Sequence, residues 1–184
     1  MTTKRTAGGL LAASLLALGL TACHDQTYIN DGNGHSVELH DDILTAHAHG
    51  VPDAVIDAAG DLTIGDKKIA LTPAQRSAAK SYHDSLIAVR TAGIQTGQAG
   101  AKVAVHAAGD AITDVLRGDA NKASSKIEQR AREVQVKALA ICDRLDAAQT
   151  AQDRLAIAIP AFKPYAAMQV KADANCRRDA MRDH

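Results

Sequence analysis

The sequence predicts an α+β fold that is predominantly α, in which a small N-terminal antiparallel β-sheet leads into a bundle of about four helices. Three observations carry that prediction. Between Ser36 and Leu71, short runs alternate apolar and polar residues, the period of a half-buried strand. Directly behind them, Thr72-Pro73-Ala74-Gln75 stacks the signals of a helix start. Thr72 caps free amides, Pro73 suits the first helical position, and Gln75 reaches back to the Thr72 amide as a capping box. Further on, Ile127, Ala131, Val134, Ala138, Ile141, Leu145 and Ala148 recur at alternating intervals of four and three, a heptad seam.

The chain opens on a targeting segment. Lys4 and Arg5 form a basic region, and Ala7 to Leu20 form an apolar run that is too short to stay in a bilayer as a spanning helix. The run closes on Leu20-Thr21-Ala22-Cys23, which resembles the bacterial lipobox. The resemblance implies that residues 1–22 are a cleaved lipoprotein signal peptide and that Cys23 is acylated as the first residue of the mature protein. Several acyl chains together anchor stably where one alone binds only marginally. His24 follows the cysteine; in enteric lipoproteins an Asp there favours retention at the inner membrane, so the resemblance points to the outer membrane, facing the periplasm. The competing reading is a soluble secreted protein cleaved near Ala22.

Residues 23–35 are expected to be a polar lead-in, with turn dipeptides at Asp31-Gly32 and Asn33-Gly34. Strands are expected at Ser36–Leu39, Ile43–Ala46 and Ala54–Ile56, separated by Asp41-Asp42 and Gly50-Val51-Pro52. A hairpin follows, with Leu62 and Ile64 on one arm, Ile69 and Leu71 on the other, and Gly65-Asp66 supplying the positive φ of its turn. Together these make a sheet of three to five strands within about residues 28–71, its strand signals falling in 36–71, which must lay an apolar face on the helices.

The helical part is expected over residues 72–182. Its first helix runs to about Arg117, stopped by Gly118, with Tyr82, Leu86 and Val89 as its buried stripe. Gly93, Gly97 and Gly100 interrupt its middle. Each costs about 1 kcal/mol against Ala, which implies close approach of a neighbouring backbone, a bend or a break. The second helix is expected from Asn121 to Gln149, its seam packing on the first because short connections favour antiparallel neighbours; a dimeric coiled coil is the alternative. Thr150 then reads as the cap of a short third helix ended by Pro160, and Pro164 as the start of a last helix towards Met181.

Composition excludes some functions. Lys+Arg and Asp+Glu are equal at 21 each, so the chain lacks the basic excess that nucleic-acid binding needs. Aromatic residues are 2% of the chain, with no Trp, which argues against a pocket that stacks sugars or bases. Five of the eight histidines lie between His24 and His49. His47 and His49 share a strand face, a spacing that chelates Zn²⁺ or Cu²⁺, and His35, His40, Asp41 or Asp42 can complete a metal site. The competing reading is a set of solvent-facing histidines. Tyr82-His83-Asp84-Ser85 carries nucleophile and base types, but consecutive helical residues diverge around the axis. His83 and His106 are expected on the surface. G-x-S-x-G, H-E-x-x-H and C-x-x-C are absent from the sequence, so no enzymatic activity and no cofactor are expected.

The hairpin-to-helix junction from Gly60 to Arg76, Tyr82, the segment Ile159-Pro160-Ala161-Phe162-Lys163-Pro164-Tyr165 and the late Cys176 resemble the YggN-like family of bacterial periplasmic proteins. The likeness spans about Asp53 to Cys176 and implies an envelope location, with no activity or catalytic residue to carry over. Acylation of Cys23 leaves Cys142 and Cys176 as an even pair in an oxidising compartment, where they are expected to form a disulfide; two separately buried thiols are the alternative. The reading is a membrane-anchored periplasmic lipoprotein acting as a non-catalytic binding or envelope-maintenance module, with an envelope protein as candidate partner and the oligomeric state left open. The alternative is a metal-binding protein using the N-terminal histidines.

Overall fold

The computed structural model describes residues 26–30, 34–116, 120–166 and 171–181. The expected signal peptide, Cys23, His24, most of the Asp31–Gly34 turn and the Gly118 stop lie outside the described residues.

Six strands pair antiparallel in chain order. They are β1 (Gln26–Asn30), β2 (Ser36–His40), β3 (Ile43–His47), β4 (Ala54–Ile56), β5 (Leu62–Ile64) and β6 (Lys67–Lys68). Period-two alternation sorts their side chains as the sequence predicts. Val37, Leu39, Leu44, Ala46, Ala54, Ile56 and Leu62 are buried on one face, while Glu38, His40, Thr45, His47 and Val55 lie on the other. One strand carries no signal in the sequence: β1 falls within the polar lead-in, ahead of the first expected strand at Ser36. Its only aliphatic residue is Ile29, which pairs with Val37 and packs partly buried on the core.

The second hairpin arm is shorter than its alternation suggests. Gly65 takes a φ of 56° in the turn, but only Lys67 and Lys68 form a strand. The Ile69 amide still donates to the Leu62 carbonyl at 2.9 Å, after which Ile69 and Leu71 turn half-buried into the core. Gly60 is fixed for a different reason. Its φ is 82°, and a Cβ there would stand 2.5 Å from the Arg76 carbonyl oxygen, so only glycine lets this loop meet the first helix. Asp61 strengthens that contact by pairing with both Lys68 and Arg76.

Helix α1 spans Pro73–Leu116 and α2 spans Ala120–Ala158. The capping box forms: the Thr72 amide donates to Gln75 Oε1 at 2.9 Å, and the Gln75 amide to Thr72 Oγ1 at 3.3 Å. Gln75 Nε2 also donates to the Ala158 carbonyl at 2.9 Å. One side chain thus satisfies polar groups at the start of α1 and the end of α2, whose termini meet because the helices run antiparallel.

Thr150 does not cap a new helix. It is an exposed position inside α2, and the buried stripe runs past it through Ala148, Ala151 and Leu155. The helix ends at Ala158, before Pro160. Pro164 does not open the last helix either; it lies within a 3₁₀ helix, Pro160–Tyr165, and α3 spans Lys171–Ala180. The 3₁₀ turn inserts Phe162 and Tyr165 into the core. Phe162 meets Tyr82 edge-on, with ring centroids 5.8 Å apart, and the Tyr165 hydroxyl donates to the Pro52 carbonyl.

The core lies between the apolar sheet face, the N-terminal turns of α1 (Ala79, Tyr82, Leu86, Val89) and the C-terminal turns of α2. No described residue of α1 beyond Val89, or of α2 before Cys142, is buried. The seam is therefore shorter than its heptads: Val134, Ala138, Ile141 and Leu145 are half-buried and Ala148 is buried, whereas Ile127 and Ala131 are exposed. The glycine spacing does not mark a close backbone approach. A Cβ at Gly93, Gly97 or Gly100 would meet nothing within 4 Å, and α1 continues unbroken through all three.

Two outcomes are expected in urea unfolding. Leu155→Ala removes a fully buried side chain and should cost about 2–5 kcal/mol, while Ile127→Ala, 42% exposed, should stay within about 0.5 kcal/mol of wild type. Burial also pushes the Tyr82 phenol well above its ordinary value. Its contribution should be fully present below the unfolded-state value near pH 10 and fall away as pH rises beyond it, because the unfolded chain then loses a proton that the folded chain keeps. Unfolding free energies from pH 8 to 11 should show this decline, and Tyr82→Phe should flatten it.

Candidate functional site

The strand register decides what the N-terminal histidines can do. His47 and His49 flank buried Ala48 and so share the outer side of the sheet, as expected. His47 Nδ1 lies 2.7 Å from Asp53 Oδ1 on the neighbouring segment, and its Nε2 lies 4.0 Å from Glu38 Oε2. Both edges of the imidazole thus face carboxylates. His35 precedes Ser36, the residue paired with His47, and the Cβ of His49 approaches Gly34, so these three histidines share one end of the sheet. His40 does not join them. It pairs with Ile43, about 13 Å along the strand at 3.3 Å per residue. Among the described residues, no three His, Cys, Asp or Glu side chains gather closely enough to hold a metal ion.

Tyr82-His83-Asp84-Ser85 forms no triad, but His83 is not on the surface. It is 3% exposed, covered by the β2–β3 turn. Its Nε2 lies 2.9 Å from the Asp42 carbonyl oxygen; a carbonyl only accepts, so Nε2 carries the proton. One helical turn pair further on, Arg90 Nη1 donates to the Asp41 carbonyl at 2.7 Å. These two side chains clamp the turn, in which Asp41 takes a φ of 50°. Lys80 Nζ holds Asp84 at 2.7 and 2.9 Å and keeps its carboxyl below the usual carboxylate range. The cluster reads as a sheet-to-helix joint. His106, in contrast, is exposed as expected.

A cleft of about 190 Å³ lies between the two long helices. From α1, Ala99, Lys102, Val103 and His106 line it. From α2, Arg130, Glu133, Val134 and Lys137 close the other side. Each set follows the i, i+3, i+4, i+7 spacing of one helix face. Ala99, Val103 and Val134 make an apolar floor, and the charged groups stand around it. Sequence reasoning missed this site. Its two halves are ordinary solvated helix faces until the antiparallel pairing sets one against the other.

The cysteine expectation is met. Cys142 and Cys176 are joined, with Cα atoms 5.8 Å apart, within the usual range for a disulfide. The bridge lays α3 along α2, where Arg177 Nη2 also contacts Asp143 Oδ1 at 2.8 Å and Asp146 Oδ2 at 3.2 Å. Gln135 Nε2 donates to the Ala180 carbonyl at 3.2 Å.

No family model, curated protein or solved structure matches the chain. Among the described residues, no helix is long and apolar enough to cross a membrane.

Reducing the bridge should lower stability by about 3–4 kcal/mol for a separation of 34 residues in the chain-entropy model. Urea midpoints with and without reductant measure this, and an unchanged midpoint would show that the link adds nothing to the packed helices.

Proposed function

We propose that this chain is a lipoprotein of a bacterial cell envelope, anchored through Cys23 at the outer membrane, facing the periplasm, and acting as a non-catalytic binding module. The observation that carries the reading is the distribution of its three cysteines. Cys142 and Cys176 are bridged, and disulfides persist in oxidising compartments. Cys23 is the cysteine left over, and it stands directly behind a basic and apolar leader. The likeness to YggN-like periplasmic proteins belongs to the same proposal. It rests on the Gly60–Arg76 junction and the Ile159–Tyr165 segment, both of which hold core positions here.

Binding is favoured over catalysis by the use made of the candidate catalytic types. The protonated nitrogen of His83 is committed to a backbone carbonyl, and both edges of His47 are turned to carboxylates. In this reading the helices act as a bundle fastened by the Cys142–Cys176 link, and they present the binding surface. In this reading the anchor is close to the sheet, since only His24 and Asp25 separate Cys23 from Gln26 and the three residue steps span at most about 11 Å.

Cys23→Ser should release the protein from the membrane fraction or leave it as unprocessed precursor, and intact-mass spectrometry should show loss of the acyl chains. If the variant fractionates like wild type and differs in mass only by the substitution, the anchor is elsewhere.

A further inference from the structure

We propose that the outer face of the sheet docks on the lipid surface, with Tyr28 and Ile43 seated at the headgroup level beside the Cys23 anchor. The inference rests on the anchor reading and adds to it the surface that meets the membrane.

The reach of the chain sets where the sheet can stand. Gln26, where β1 begins, is three residue steps from Cys23, so an acylated Cys23 holds it within about 11 Å. The headgroup layer is about 5–8 Å deep on each side of the hydrocarbon. The start of β1 therefore lies in that layer or directly above it. The inner face of the sheet is packed on α1, α2 and the Pro160–Tyr165 turn, which leaves the outer face to meet the lipid. Two side chains make a weak site for an unanchored protein. The anchor turns docking into an intramolecular step at high effective concentration.

The corner of that face next to the anchor carries the right side chains. Among the described strand residues, the exposed large apolar ones are Tyr28, at 59%, and Ile43, at 43%. Tyr28 pairs with Glu38 and Ile43 with His40, so both point outward. Tyr28 is two residues from Gln26, about 7 Å along the strand. His40 also pairs with Gln26, which puts Ile43 two strands away, about 10 Å. A tyrosine suits the interface because its ring is apolar and its hydroxyl stays among polar groups; here the hydroxyl accepts from Asn30 Nδ2 at 3.3 Å. Thr45, Val55 and Thr63 continue the face in one paired row, half-buried and uncharged. Glu38 shares that row, but its Oε2 lies 4.0 Å from His47 Nε2, towards the end of the sheet away from Gln26. Asp41 stands at the rim beside His40, at 3.6 Å, so the contact is interfacial rather than a cationic patch on anionic lipid.

The test uses the full chain, expressed in bacteria with its own leader, purified in detergent and reconstituted into vesicles. These contain phosphatidylcholine and phosphatidylethanolamine, with plain or brominated acyl chains. The chain has no Trp, so one indole is introduced at a time, as Tyr28→Trp, Ile43→Trp or Val105→Trp. Val105 is the control, 73% exposed on α1 beyond the turns that cover the sheet. All three positions are exposed and admit the larger ring. Brominated lipid should quench Tyr28→Trp and Ile43→Trp at least about twofold, since an interfacial side chain reaches the acyl boundary, and should leave Val105→Trp unchanged. Adding Ile43→Ser to Tyr28→Trp should reduce the quenching, which a ring inserting by itself would not show. Flotation with the vesicles is scored separately. Protein that does not float ends the anchor reading and this inference with it. Protein that floats with Tyr28→Trp unquenched leaves the anchor standing and overturns the docked face. Unquenched but blue-shifted Tyr28→Trp emission assigns the face to a second copy of the chain. Equal quenching at Val105→Trp, or quenching indifferent to Ile43→Ser, likewise overturns the proposal.

Discussion

The structure depends on covering one apolar sheet face. Val37, Leu39, Leu44, Ala46, Ile56 and Leu62 all point the same way, and a sheet of short strands has no stability of its own with that face in water. The opening turns of α1 and the closing turns of α2 supply the cover. These segments are far apart in the chain, so both must be brought to the same place. The capping box starts α1 at the hairpin's end, and the antiparallel return delivers the end of α2. Phe162 and Tyr165 then close the remaining gap beside Tyr82. The polar contacts of Asp61, His83 and Arg90 hold the sheet in register with the helix beneath it.

Beyond that covered region α1 packs on α2, and α2 on α3. Among the described residues there, Thr96, Ala99, Val103, Val134, Ala138, Leu139 and Ile141 are half-buried and none is buried, so the helices meet along a thin apolar line with charged residues close on either side. The cleft lined by Ala99, Val103 and Val134 lies along that line. An Ala at 99 and a Val at 103 leave room that larger side chains would fill.

Legibility in the sequence followed the range of the interactions. The hairpin turn at Gly65 and the Thr72–Gln75 cap depend on residues within a few positions, and both were readable. The disulfide was readable from cysteine number and compartment rather than from geometry. Strand β1 was not, because its place rests on pairing with β2 and on the one aliphatic residue Ile29. Thr150 and Pro164 carry helix-start chemistry, yet the buried stripe of α2 overrides the first and a 3₁₀ turn absorbs the second. The burial of His83 was hidden because its partner, Asp42, lies 41 positions away. His40 and His47 are close in sequence, but antiparallel pairing sets them at opposite ends of the β2–β3 ladder.

The hydrogen bond from Gln75 to Ala158 has a consequence for motion. It ties the first turn of one long helix to the last turn of the other at the sheet-covered end, while no described residue of α1 beyond Val89 or of α2 before Cys142 is buried. Opening free energies should then form a gradient along each helix rather than a single value. Amides near the buried Tyr82 and Leu155 should then exchange with solvent through global unfolding, and those near the exposed Gly97 and Ile127 through local fraying. The Cys142–Cys176 link sits between the two regimes, where it limits how far fraying can travel along α2 towards the core.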